Sequence, residues 1–117
     1  MKVLLLGATG LAGQAFSRAL NIRNINYVSA ARKNAQLQVD IADMDALHNS
    51  LYDQDPDIVI NAAAIVDIDA CSHDPDRCWR VNTQPLAILA EWSRSTNRPV
   101  IQISTDHYYT HDGNYSH

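Results

Sequence analysis

Two cysteines, two lysines and four glycines are all that this sequence of 117 residues holds of these three types. Two cysteines, Cys71 and Cys78, are too few for a disulfide scaffold and give no sign of export, so free thiols are expected. His73 lies near them, but Cys-x-His with a second Cys five residues on matches no established ligand spacing, so no metal site is expected. Basic residues are scarce as well: nine Lys and Arg against thirteen Asp and Glu leave a net charge of −4. The only adjacent basic pair is Arg32-Lys33, which argues against nucleic acid as a partner. Long apolar runs are missing too. Lys2 followed by four apolar residues is too short for a signal peptide, and nothing approaches a membrane span. The expectation is a cytoplasmic protein with no membrane partner.

What is present is a globular composition, 46% hydrophobic and 19% charged, with room for one domain. No internal repeat, low-complexity tract or linker interrupts it. Apolar strand-like runs alternate with helical patterns, which predicts βαβ units around a parallel sheet. The runs Val3–Leu6, Ile58–Ile60 and Val100–Ile103 are nearly continuous, Gln102 alone intruding, as in strands covered on both faces. Tyr27–Ala31 supplies a second strand, and Leu37–Val39 a weak third.

Helices are expected between them. Leu11, Ala12, Ala15, Phe16, Ala19 and Leu20 recur at helical spacing in the first. Asp43 caps a helix presenting Met44, Leu47 and Leu51, which Asp55-Pro56 closes. Asp74-Pro75 opens a longer pattern through Trp79, Leu86, Leu89, Ala90 and Trp92 to Ser95, with a bend at Pro85. The sum is five strands and four helices in the order 3-2-1-4-5, a Rossmann-type α/β fold.

Five stretches can carry chemistry. Gly7-x-x-Gly10-x-x-Gly13 follows a strand and opens a helix, so unpaired N–H groups and the positive helix end either favour a pyrophosphate or belong to a plain strand-to-helix turn. After the second strand, where an NAD site places a carboxylate, the chain reads Ser29-Ala30-Ala31-Arg32-Lys33. Those two cations either pair with the 2′-phosphate of NADP or belong to a solvated loop. Asp40-Ile41 either meets an adenine, carboxylate to amino group and side chain to ring face, or is an ordinary loop. Asn61-Ala62-Ala63-Ala64 lets a cofactor lie against a strand end while Asn61 ties neighbouring strands, or is simply a tightly packed end. Ser104-Thr105-Asp106, beyond the fifth strand, either holds a substrate carbonyl or forms a Ser/Thr turn. His107, His111 and His117 near the end read as a polar tail.

With these positions in place, the chain resembles the N-terminal part of the extended short-chain dehydrogenases/reductases, and within them the dTDP-4-dehydrorhamnose reductase-like subgroup. GATGLAG at 7–13, VDIAD at 39–43, PDIVINAAAIVDIDACSHDP at 56–75, VNTQP at 81–85 and ISTDHYY at 103–109 carry the resemblance. It implies an NAD(P)-binding Rossmann domain over 1–117, incomplete because the last strands and the substrate domain lie further on. It also implies cofactor contacts from Gly7, Thr9, Gly10, Leu11, Ala12 and Gly13. Arg32 would meet the adenosine ribose or its 2′-phosphate, and Asp40 and Ile41 the adenine. Ala63, Ala64, Ile65 and Ser104 would line the cofactor's centre. Thr105 would be the catalytic hydroxyl, Thr105 and Asp106 would touch the nucleotide sugar, and Asn82 would match a structural or proton-relay asparagine.

The resemblance has gaps. Its proton donor is the Tyr of a Tyr-x-x-x-Lys pair, and no such pair exists here. Tyr27, Tyr52, Tyr108 and Tyr109 have Ala31, Pro56, Asp112 and Gly113 four positions on, and the lysines are Lys2 and Lys33. His107 stands where the family commonly has an aromatic, and Ala70 where it often has lysine. Loss of a general acid costs roughly 10²–10⁴-fold in rate, so these 117 residues alone are expected to be inactive. The complete protein is expected to be an NADP(H)-dependent reductase of a 4-keto deoxysugar nucleotide, with NAD(H) as the alternative cofactor. An epimerase or dehydratase of the same fold, and a non-catalytic NADP-binding regulatory subunit, are the rival expectations. An exposed fifth strand would favour a homo-oligomer.

Overall fold

The computed structural model describes residues 1–63, 73–76 and 84–103. Within them lie β1 (Lys2–Leu6), α1 (Leu11–Ile22), β2 (Asn26–Ala31), β3 (Leu37–Gln38), α2 (Met44–Gln54), β4 (Ile58–Asn61), α3 (Gln84–Thr96) and β5 (Val100–Gln102). The strands form one sheet in the order β3-β2-β1-β4-β5, and every pairing is parallel. This is a five-stranded Rossmann-type α/β architecture, as the alternating pattern predicted.

Strand β1 is apolar from Val3 to Leu6 because both its faces are covered there. Leu4 and Leu6 enter one core with Leu47 and Leu51 of α2 and Leu89 and Trp92 of α3. Val3 and Leu5 enter the other, with Leu20 of α1 and the half-buried Phe16. A side-chain period of two thus sends alternate residues into two separate cores.

Local signals explain the helix ends. The Asp43 carboxylate accepts from the Ala46 N–H at 3.2 Å, capping α2. At its other end Asp55 adopts a left-handed conformation (φ 48°) and its N–H reaches the Leu51 carbonyl, while Pro56 prevents another turn. Asn97 ends α3 the same way, at φ 59°.

Three expectations need correction. The buried stripe of α1 is narrower than the sequence suggested: Leu11 is 90% exposed and Ala15 and Ala19 are exposed, leaving Gly13, Phe16 and Leu20 to face the sheet. Residues 13, 16 and 20 share a face, and glycine at 13 brings the helix close, so little further apolar surface is needed. In α3, Leu86 is 40% exposed, and the burial falls to Leu89 and Trp92. Pro85 is buried near the start of the described helix; the expected stretch through Trp79, which decides whether the proline bends a longer helix, lies outside the described residues. Strand β5 is covered less fully than its apolar run implied, with Ile101 45% exposed, because it is an edge strand.

No described helix is long and apolar enough to cross a membrane. Among the described residues, no group of three or more His, Cys, Asp or Glu could hold a metal ion. Cys71 and Cys78 lie outside them.

Candidate dinucleotide site

Parallel strands bring their carboxyl ends to one edge, and the described candidate residues gather there. β1 runs out into Gly7, β2 into Arg32, β3 into Val39 and Asp40, and β4 into Ala62 and Ala63. Direct hydrogen bonds hold these ends together. The N–H groups of Gly7 and Ala8 both donate to the Ala30 carbonyl, at 2.8 and 3.2 Å. The Val39 N–H donates to the Ala31 carbonyl at 2.9 Å, and that of Ala62 to Leu6 at 2.9 Å. The glycine turn is therefore fastened to the strand that delivers Arg32.

The three glycines do different work. Gly7 sits at φ 74°, and a Cβ there would lie 2.5 Å from the Ala63 nitrogen, so the turn requires glycine twice over. A Cβ on Gly13 would collide with the Gly7 carbonyl oxygen and come within 2.7 Å of the Ala8 Cα. Gly10 is unlike both. Its backbone is extended (φ −76°, ψ 175°), and the nearest atom to an added Cβ is 3.7 Å away. Nothing within the described residues requires glycine at 10.

That outer surface is rich in donors. Gly10 is the N-cap of α1 and provides no side-chain hydrogen bond. Among the described residues, no protein group accepts from the N–H groups of Leu11, Ala12 or Gly13. Gln14 Nε2 donates to the Thr9 carbonyl at 2.8 Å and so braces the loop without blocking it. The exposed Thr9 and Leu11 flank the opening. Open N–H groups at a helix N-terminus with its positive dipole end form an anion site, and a pyrophosphate fits this chemistry.

Around the turn, Arg32 and Lys33 are exposed, and neither has an ion pair among the described residues. Asp40 is half-buried and its Oδ1 accepts from the Ala42 N–H at 3.0 Å. Ile41 is 7% exposed and belongs to the core with Leu47 and Leu51, so its main chain, more than its side chain, meets the surface. Ala63 packs against that core beside Gly7.

The buried Asn61 ties two strand ends, its Nδ2 donating to Gln102 Oε1 at 2.9 Å and its Oδ1 accepting from the Ala63 N–H at 3.1 Å. Gln102, an intruder in an apolar run, thus has a partner in the residue registered opposite it. A lone polar residue at that register was the available signal. The pairing of Ser29 with Gln36 on β2 had no comparable signature. Ala64, Ile65, Asn82, Ser104, Thr105 and Asp106 lie outside the described residues.

A family profile described as the RmlD substrate binding domain matches residues 1–117. The chain belongs to the RmlD family. Among relatives, this RmlD chain is 30% identical over 115 residues to methionine adenosyltransferase 2 subunit beta of Bos taurus, covering 96% of this chain and 34% of that protein. It is 32% identical over 113 residues to dTDP-4-dehydrorhamnose reductase of Burkholderia thailandensis, covering 97% and 36%. The RmlD chain thus spans about a third of the length of these curated relatives. Among solved structures, a dTDP-4-dehydrorhamnose reductase ortholog from Clostridium acetobutylicum superposes with TM-score 0.80 at 28% identity, over 100% of this chain and 40% of that one. The dTDP-4-dehydrorhamnose reductase from Bacillus anthracis, solved in complex with NADP, gives 0.77 at 22% identity over 95% and 38%, a likeness of fold.

Proposed function

We propose that this chain is the dinucleotide-binding part of a reductase that takes NADP(H) and acts on a 4-keto deoxysugar nucleotide. The observation that carries the cofactor is the open glycine turn: among the described residues its three N–H groups have no acceptor, Arg32 and Lys33 have no ion pair, and no carboxylate ends β2. The substrate class rests on membership of the RmlD family and on the identity to a dTDP-4-dehydrorhamnose reductase.

In this reading Leu11 and Ala12 donate to the pyrophosphate, and Gly10 admits it to contact distance. Arg32, with Lys33, pairs with the 2′-phosphate through a charge-assisted fork. Asp40 offers an acceptor to the adenine amino group, and Ala63 keeps the centre of the crevice shallow. Bound NADPH supplies the hydride. Thr105 orients the sugar carbonyl and Asp106 holds the sugar, both from the segment that follows β5. These 117 residues contain no Tyr-x-x-x-Lys pair to act as the proton donor.

NADPH and NADH titrations followed by nicotinamide fluorescence test the cofactor half. Arg32→Ala is expected to weaken NADPH about tenfold and NADH little, the scale of one lost charge-assisted contact; equal losses would defeat the NADP assignment. Steady consumption of NADPH with a dTDP-4-keto-6-deoxy sugar, measured in the whole protein that contains this chain, tests the reaction. An epimerase or dehydratase recycles its cofactor and would show none. The 30% identity to a methionine adenosyltransferase subunit favours a second reading, a nicotinamide-binding regulatory subunit. NADPH binding without turnover on any sugar nucleotide would select it.

A further inference from the structure

We propose that Gln36 is a positioning residue for dinucleotide selectivity, holding the Arg32–Lys33 loop at the distance from the glycine turn that a 2′-phosphate requires. The proposal rests on the NADP(H) reading above and assigns a part of the site that Arg32 alone does not explain.

Strands β2 and β3 are parallel neighbours, yet only Arg32 to Gln36, five residues, join them. Parallel neighbours ordinarily need a crossover of about a dozen residues or more, whose packing fixes both ends. Here no crossover helix fits, so the return depends on local bonds. Asn34, at φ 57°, turns the chain. Gln36 then closes it: the Ser29 N–H donates to Gln36 Oε1 at 3.0 Å, and the Gln36 N–H donates to Ser29 Oγ at 3.0 Å. The Gln36 side chain supplies the acceptor that a longer β3 would have given to β2.

Packing gives this closure little help. A polar cleft of about 450 Å³, lined by Asn21, Ile25, Asn26, Tyr27, Ser29 and Gln36, opens beside it. At the other end the loop begins two residues after Ala30, whose carbonyl accepts from Gly7 and Ala8. The loop is thus hung between the glycine turn and the Ser29–Gln36 pair. Its two cations, exposed and without an ion pair among the described residues, are placed by those tethers. Bidentate recognition of a phosphate falls off steeply with misplacement, so a slackened loop should lose the 2′-phosphate and keep the rest of the dinucleotide.

The test is the ratio of NADPH to NADH dissociation constants, read by fluorescence titration. Gln36→Leu removes the acceptor at similar size and is expected to weaken NADPH about fivefold with NADH within twofold, the scale of one neutral hydrogen bond. Ser29→Ala removes the reciprocal acceptor and is expected to act in the same direction, whereas Ser29→Thr, which keeps the hydroxyl, restores the ratio. The Ser29 variants also decide the matter if Gln36→Leu fails to fold. A wild-type chain that prefers NADPH together with variants that keep its ratio would overturn the role of Gln36 alone. Equal losses of both cofactors would also overturn it, leaving Gln36 a purely structural residue. A wild-type chain with no preference would remove the NADP(H) reading and this role with it.

Discussion

At the amino ends of the strands, polar groups of the chain find one another. The Lys2 N–H donates to Asp57 Oδ2 at 2.7 Å, and Lys2 Nζ to the Gln54 carbonyl at 2.8 Å. Arg98 Nη1 reaches both Asp55 Oδ1, at 2.7 Å, and the Pro56 carbonyl, at 2.8 Å, joining the end of α2 to the turn before β5. At the carboxyl ends the same chain leaves three helix N–H groups and two cations without such partners among the described residues. Both ends could have been closed with the same residue types. Among the described residues, one end of the sheet is closed by the chain's own side chains, and the other keeps its donors and cations open.

Substitutions can break or sharpen that contrast. The largest effect is expected from Gly13→Ala, whose Cβ meets main-chain atoms that cannot move away. It should destabilise the fold by about 3 kcal/mol, the upper part of the range for overpacking, read by urea unfolding. Gly10→Ala tests the opposite expectation three residues earlier. It should leave the unfolding midpoint unchanged while weakening both dinucleotides by about tenfold or more, equivalent to roughly 1.4 kcal/mol. A loss of stability at Gly10 would mean that the open face of the turn serves folding, and the contrast between the ends would fail.

Smaller effects belong to the amino end. Arg98→Ala should cost about 1 kcal/mol of stability, since it loses one partly exposed ion pair and one carbonyl contact, with dinucleotide affinity unaltered. Asp57→Ala removes a single exposed acceptor from the Lys2 N–H and should cost about 0.5 kcal/mol in the same assay. A change in cofactor affinity from either variant would show that the two ends are coupled through the sheet.

Much of this was legible in the sequence because the signals are local. Asp43 announces a cap, Asp55-Pro56 a stop, and the glycine spacing a turn whose geometry the chain adopts. The strand order followed from alternation and handedness. What escaped depends on partners distant in sequence. Leu11 reads as a core residue by periodicity, but the first turn packs on Gly7 and Ala8 through Gly13, and Leu11 is left on the exposed side. Ile101 reads as buried, but it lies on the outermost of the described strands, which has a paired strand on one side only. Arg98 gave no sign of its partners at 55 and 56. Of the candidate site, the glycine turn, Arg32, Asp40 and Ala63 could be placed together; nothing local showed that Ile41 would turn its side chain into the core or that Gln36 would close the basic loop.

The start of β1 has a practical corollary. Met1 is 69% exposed, and the strand that begins at Lys2 travels five residues, roughly 16 Å at about 3.3 Å each, before Gly7. A tag or tether joined ahead of Met1 would therefore leave from the floor of the molecule. On a sensor surface or affinity resin, the glycine turn at the far end of the strand would then face away from the point of attachment.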